Sequence, residues 1–348
     1  MEKRWRVACF RFLPVACLLV IGLAAPAQAQ RGRELVTINA GILGIMSGDS
    51  GFIIAKERGY FQEQGLEVVL QRFDSGATIM APLAGGQLDV GQGGTGIGTF
   101  NGIKRGFPII AVANTVILDR GNGNAFMVRS DLKNEIVKVS DLKGRKVAIN
   151  AMASPLLYSL GMALETGSLS LKDVTLATMP FPDLRVAFKN KAIDMGINVE
   201  PLATLVARSG EAVIWKKTDD FVNNPYQTIG SLFYNVDWAR KNPDAANRFM
   251  IAFLKGVRDY HDAMTKRVKR EEVIGYFIKH TGMKDRAIYD LIPWGAGNPD
   301  GYESKESVLH QQDWYFKNGY LDSRLPIEKF VDDRYVDHAI SVLGKYKK

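Results

Sequence analysis

From Leu35 to Ala113 short apolar runs alternate with amphipathic stretches. Val36–Ala40, Leu66–Leu70, Leu88–Val90 and Ile109–Ala113 read as strands, and Phe52–Arg58 and Ala77–Ala84 between them as helices. The spacing is that of βαβ units, which predicts a largely parallel sheet with ligands bound beyond the carboxyl ends of its strands. The Gly/Asn-rich stretch Asp119-Arg-Gly-Asn-Gly-Asn124 follows, and the same grammar then repeats. Lys146–Ile149, Val174–Met179 and Asp194–Ile197 are predicted strands, with Pro155–Leu164 and Leu184–Asn190 as helices. The two runs share an internal echo, Leu83-Ala-Gly-Gly-Gln-Leu-Asp89-Val-Gly91 against Phe188-Lys-Asn-Lys-Ala-Ile-Asp194-Met-Gly196. Two similar α/β lobes are therefore expected.

After Tyr226–Tyr234 the period changes. Asn242-Pro243-Asp244 reads as a cap, a proline in the first turn and an acid near the helix start. Phe249, Phe253, Val257, Tyr260 and Met264 then mark one apolar helix face. The rest of the chain reads as a polar, helical tail with Trp294-Gly-Ala-Gly297 as a loop within it.

The first residues read as an address. Met1–Arg11 is basic, Phe12–Ala25 is apolar, and Ala27-Gln28-Ala29 presents small residues where a leader peptidase cuts. A signal peptide of residues 1–29, cleaved after Ala29, is expected; the apolar run is too short for a membrane span and contains Pro14. Both cysteines, Cys9 and Cys17, lie within it, so the mature chain has no disulfide, thiolate nucleophile or thiolate metal site. With 348 residues, 46% hydrophobic and 24% charged, the chain has the balance of a globular protein of about two domains. Its net charge of +8 falls to about +5 without the leader, and its basic residues are scattered. The densest run, Lys266, Arg267, Lys269 and Arg270, precedes Glu271 and Glu272 and reads as a solvated helix face. No nucleic-acid partner is expected.

Several chemistries find no anchor. Gly91-Gln-Gly93-Gly-Thr-Gly96 matches a dinucleotide loop in letters, but it follows the third strand and lacks the acid about 20 residues on. A glycine-rich wall approached by a small ligand fits it better. His261, His280, His310 and His338 all fall in the tail without metal-ligand spacing, and there is no GxSxG elbow. No cofactor or metal is expected. What recurs is a polar residue opening a helix at a strand's end: Ser47-Gly-Asp-Ser50, Ser75-Gly-Ala-Thr78 and Ser154-Pro155. Each alone is ordinary capping, but several helix starts aimed at one cleft would hold a carboxylate or sulfonate. Glu200-Pro201 follows the strand at Asp194–Ile197, where the acid could accept from a ligand amine, amide or hydroxyl, or simply cap a helix with proline at its start. Arg120 is a possible counter-charge.

Lys56-Glu-Arg-Gly59-Tyr60-Phe61-Gln-Glu-Gln-Gly65-Leu66-Glu-Val68 resembles a signature of the periplasmic ABC-transporter binding proteins for nitrate, taurine, alkanesulfonates and thiamine pyrimidine precursors. Four further segments agree in order: Ser75-Gly76 through Gly86-Gln-Leu-Asp89-Val-Gly91, Asp141-Leu-Lys-Gly144-Arg-Lys-Val, Ile193-Asp194 through Glu200-Pro201, and Asn242-Pro243-Asp244. The resemblance implies an α/β, type II two-lobe periplasmic binding fold. Residues 30–120 with 230–348 would form one lobe with the helical tail, and residues 121–229 the other. It implies a non-enzymatic, monomeric protein that captures a small organic solute, a carboxylate or sulfonate, and delivers it to an ABC permease. A pyrimidine precursor, a sensing role or an enzyme on the same lobes are the alternatives; a general base for the last is not evident. By family analogy the contacts are Ser47, Ser50 and Phe52, the turn Ser75-Gly76, the loop Gly94-Thr95, Ser154, Asn198 and Glu200. Met152-Ala-Ser-Pro155 and Met179-Pro-Phe181 point to an apolar flank beside them.

Overall fold

The computed structural model describes, besides Met1, residues 35–118, 121, 123–222, 227–295 and 297–347. The expected leader with Cys9 and Cys17, its cleavage point at Ala29, and Arg120 lie outside the described residues. From Leu35 onward the described strands are β1 (Val36–Ile42), β2 (Leu66–Arg72), β3 (Val90–Gly94), β4 (Ile109–Leu118), β5 (Ala125–Arg129), β6 (Lys146–Ile149), β7 (Thr175–Thr178), β8 (Met195–Asn198), β9 (Ala212–Lys217) and β10 (Gln227–Asn235). They form two five-stranded sheets, in the orders β2-β1-β3-β10-β4 and β7-β6-β8-β5-β9.

The two sheets have one plan. In each, three strands run parallel, and a fourth lies antiparallel beside the third. That fourth strand, β10 in the first sheet and β5 in the second, is supplied by the stretch of chain that has just crossed from the other sheet. The central strands are covered on both faces, so β3, β8 and β10 are almost wholly buried and read as continuous runs rather than alternating ones.

Helices α1 (Ser50–Glu57), α2 (Tyr60–Glu63), α3 (Gly76–Ala84) and α4 (Ile97–Lys104) accompany the first sheet. Helices α5 (Leu156–Thr166), α6 (Leu184–Lys189) and α7 (Leu202–Ser209) accompany the second. After β10 come α8 (Val236–Lys241), α9 (Pro243–Thr265), α10 (Arg270–Thr281), α11 (Ile288–Leu291), α12 (Lys305–Lys317), α13 (Ile327–Phe330) and α14 (Arg334–Leu343). The Gly-Tyr-Phe signature has a plain physical basis. Gly59 and Gly65 sit at φ of 71° and 67°, turning the chain on either side of α2, and Phe61 is buried with its ring stacked on Phe249 of α9 at 5.0 Å. Phe52, Phe249 and Phe253 extend this cluster, each side chain contributing about 1.5–3 kcal/mol by burial.

Four expectations change. The glycine run is not a loop after a strand: Gly91–Gly94 is the body of β3, where a Cβ on Gly91 would stand 2.6 Å from Ile79 and one on Gly93 2.5 Å from Met80. The side chain of Asn242 does not cap α9 but donates to the carbonyl of Trp238. The basic run at 266–270 is a turn between α9 and α10 rather than a helix face. Arg267 and Lys269 have positive φ there, and Arg270 lies over the Trp294 ring while donating to the carbonyl of Tyr289.

The tail, finally, is not merely polar. Trp314, Tyr315, Leu321, Phe330 and Val331 are buried in the main core, and Val331 bridges to Ala111 of β4. Helix α12 lies between elements of both sheets. Trp314 donates to Glu165 on α5, and Tyr158 of α5 bonds His310, while Gln311 donates to the carbonyl of Thr228 on β10 and Tyr315 packs on Phe100 of α4. Helix α5 is accordingly buried nearly all round, as a helix covered on every side must be. Glu303, buried just before α12, accepts from Ser231 and Asn114, which fastens the tail to β10 and β4.

Candidate ligand cavity between the two sheets

A cavity of about 640 Å³, mouth included, opens where the carboxyl ends of the parallel strands of both sheets meet. From the first sheet come Ser47 in the β1–α1 loop, Gly76 and Ala77 in the first turn of α3, Gln92 and Gly94 of β3, and Gly230 of β10. From the second come Asn124, Asn150 just past β6, and Ser154–Leu156 at the start of α5, with Phe181 and Val199. The two sets touch. Gly98 of α4 donates its N–H to the carbonyl of Ala153 at 3.1 Å, and Cβ atoms on Gly76 and Gly94 would stand 2.7 Å from the Gly94 nitrogen and 2.8 Å from Pro155. Glycine is needed there because the turn of α3, the strand and α5 approach so closely.

Among the described residues, no Asp, Glu, Lys, Arg or His lines this cavity. Its polarity comes from hydroxyls, helix starts and amides. Gln92, 3% exposed, leaves its Oε1 without a partner; Asn124, 7% exposed, leaves its Nδ2, and Asn150 leaves its Oδ1. Buried amide atoms left bare cost folding free energy, so three of them facing one empty space mark the place a ligand would complete.

Two further spaces adjoin. An outer vestibule shares Leu43, Ile45 and Phe181 with the cavity and is walled by Phe73, Pro180, Pro182 and Leu202, with Arg72 and Asp74 at its polar side. A small back chamber shares Ser47, Val116, Asn124 and Val199, and is closed by Glu200 and Pro293. The β1–α1 loop, which lines all three, is held from beneath by Asp49. That carboxylate is wholly buried and accepts from the N–H groups of Ile45 at 2.8 Å and Leu43 at 3.2 Å. Burial pushes its pKa up to about 7 against those bonds and the field of Arg72. Burial likewise raises the pKa of Glu200, against the bonds from Thr204.

Of the ten residues expected at the site, Ser47, Gly76, Gly94 and Ser154 line the cavity and Glu200 the back chamber. The others stand behind it. Ser50 donates to the carbonyl of Ser47, and Ser75 caps α3 by accepting from Thr78. Thr95 is buried against Ser231, and Asn198 accepts from the N–H of Val199 while its Nδ2 stays bare. Phe52 points the other way, into the aromatic cluster with α9. Gln92, Asn124 and Asn150 were not foreseen. The available signal was a polar residue at the carboxyl end of a strand, present for Gln92 and Asn150 and hidden for Asn124 in a stretch that reads as a linker.

Comparison with known proteins agrees with this architecture. A family model described as NMT1/THI5 like matches residues 48–263. A putative aliphatic sulfonates-binding protein of Bacillus subtilis is 24% identical over 94% of this chain and 95% of its own. Among solved structures, the periplasmic aliphatic sulphonate binding protein SsuA from Escherichia coli superposes with a TM-score of 0.67 at 20% identity, covering 87% of this chain and 99% of that one. The desulfurization enzyme DSZB does so with a TM-score of 0.62 at 15% identity, covering 88% and 99%. The two sheets of shared plan, with their flanking helices, are the type II periplasmic binding fold. With the family model spanning more than half of its length, the chain belongs to the NMT1/THI5-like family.

Proposed function

We propose that this protein is the solute-binding component of an ABC importer, exported with its leader removed after Ala29 and acting as a monomer without nucleic-acid partners. Residues 30–120 with 230–348 and residues 121–229 are its two lobes, and they close on a small organic acid, a carboxylate or sulfonate. The observation that carries this reading is the cavity itself. The first turns of α3 and α5 converge on it from different sheets beside the bare amides of Gln92, Asn124 and Asn150. Helix starts offer free N–H groups and a partial positive charge, so an anion is held without a side-chain cation. Ser47, Gly76, Gly94 and Ser154 contribute directly; Ser50, Ser75, Thr95 and Asn198 hold those segments in place.

Capture without turnover is the role supported by a cavity whose described lining has hydroxyls and amides but no histidine or carboxylate to move a proton. The sulfonate-binding relatives favour it too, although DSZB is an enzyme on a like fold. The acceptor oxygens of Gln92 and Asn150 favour a second reading, a ring bearing N–H donors such as a pyrimidine. A thermal-shift screen of residues 30–348 against sulfonates, aliphatic and aromatic carboxylates, nitrate and pyrimidines tests both. A ligand at about 100 times its Kd adds about 2.7 kcal/mol and moves the melting temperature readily. A shift with one acid class supports the first reading, a shift with pyrimidines alone supports the second, and no shift anywhere overturns both.

A further inference from the structure

Helix α12 joins the two sheets a third time, beside the chain crossings that lead into β5 and β10. Its roots are in the first sheet. Thr228 of β10 donates its N–H to Ser307 at 3.0 Å and accepts at its carbonyl from Gln311 at 2.7 Å, and beyond the helix Phe330 packs on Phe100 of α4 and Phe233 of β10. Bonds to backbone and rings set into a packed core fix the helix there. Its other face meets α5 of the second sheet through the polar tips of aromatic side chains. Trp314 Nε1 donates to Glu165 at 2.8 Å, the Tyr158 hydroxyl bonds His310 Nδ1 at 2.8 Å, and the Tyr315 hydroxyl donates to the carbonyl of Ser154 at 3.4 Å. The last contact reaches the cavity, because Ser154 lines it and accepts with its Oγ from the N–H of Leu156 at the start of α5.

We propose that α12 is a clasp that holds α5 against the first sheet when no solute is bound, with Trp314 and Tyr315 as positioning residues that keep the Ser154 turn opposite Gly76 and Gly94. The two halves of the cavity therefore stay assembled in the empty protein. The claim rests on the two-lobe reading above, but because it concerns the empty protein its failure would leave solute capture standing. Swinging α5 away from the first sheet breaks the three bonds to α12 and the one from Gly98 to Ala153, while the bonds that root α12 on β10 stay whole. Such bonds are costly to break, since the buried rings of Tyr158, Trp314 and Tyr315 must leave apolar contact before their polar atoms reach water. Solute then meets a site already formed, which lowers the ordering cost of binding.

Residues 30–348 contain no cysteine, so spin labels on Val69→Cys of β2 and Val186→Cys of α6, both exposed, read the distance between the sheets by pulsed electron resonance without background. No ligand is added. The expected result is a single narrow distance in the otherwise wild-type chain and a second, longer one in Tyr158→Phe/Tyr315→Phe, which keeps both rings and loses two bonds. Adding Trp314→Phe should enlarge that longer population, each bond removed multiplying it about five- to tenfold. Tyr234→Phe is the control: it removes a buried hydroxyl bond, to the carbonyl of Ala246 on α9, that does not join the sheets. It should lower the melting temperature and leave the distance single. Two distances in the otherwise wild-type chain overturn the clasp, as does an unchanged distance in the double and triple variants. A second distance in Tyr234→Phe also overturns it, because general loosening would then account for the effect. Should the triple variant not fold, the double variant decides.

Discussion

Asp89 and Asp194, 105 positions apart, make the same two bonds in different sheets. The N–H of Asp89 donates to the carbonyl of Asn39 and its Oδ2 accepts from the N–H of Asn39, at 2.9 and 2.8 Å. Asp194 does the same with Lys146, at 2.8 and 2.9 Å. Each aspartate therefore closes the turn that leads into the third parallel strand by gripping the first. Replacing either by alanine removes a charge-assisted bond and should cost about 1–3 kcal/mol in chemical denaturation. The two losses should add in the double variant, since the sites share no partner. A double variant much less stable than the sum would count against the independence of the two sites.

Gly161 on α5 faces the indole of Trp314 on α12, and a Cβ built there would stand 2.0 Å from its Cζ2. Alanine in a helix interior gains up to about 1 kcal/mol over glycine. Overpacking against a buried ring costs about 1–3 kcal/mol, so the clash should win and Gly161→Ala should melt lower than wild type. A higher melting temperature would mean that Trp314 does not fill this space.

The bare oxygen of Gln92 should make the empty protein less stable than it could be. Gln92→Met is expected to raise the unliganded melting temperature modestly and to weaken solute binding about tenfold or more, measured by the thermal shift of the identified ligand. Unchanged affinity would remove Gln92 from the site. Gly76→Ala works by shape instead. Its Cβ would meet the backbone nitrogen of Gly94 at 2.7 Å, and backbone cannot step aside, so both stability and binding should fall.

Asp49 carries a pH signature. Its folded pKa, about 7 through burial, lies above its ordinary value of 3.8, so the folded state holds the proton more tightly than the unfolded chain. Its contribution to stability is therefore full below about pH 4 and is lost as the pH rises through about 7. Urea unfolding of wild type and Asp49→Asn at pH 5 and pH 8 reads this directly: the wild type should lose ground to the variant between the two. A constant difference would show that Asp49 stays ionised throughout.

Most strands and the long α9 helix were legible in the sequence because hydrophobic periodicity is a local property, and the leader-to-tail order of the signature segments pointed to the family. The site was legible only in part. Ser47, Gly76, Gly94 and Ser154 could be found as polar or small residues at strand ends. Phe52 could not be separated from them, because its partners Phe249 and Phe253 lie about two hundred positions away on α9. Asn124 was obscured for a related reason: a Gly/Asn-rich run looks the same whether it is a solvated linker or a crossing segment that presents an amide to the ligand. The buried residues of α12 read as a polar tail because a helix held between two sheets has no single apolar stripe.

The position of that helix bears on how the molecule comes to be. Trp314, Tyr315 and Val331 complete a core whose other members include Phe100, Ala111 and Leu157, up to 231 positions earlier. A chain emerging in order can pair its early strands, but it cannot close the face of β4 or the outside of α5 until residues 305–331 have followed. Until then those surfaces stay wet, and the folding barrier includes the entropy of a very long loop.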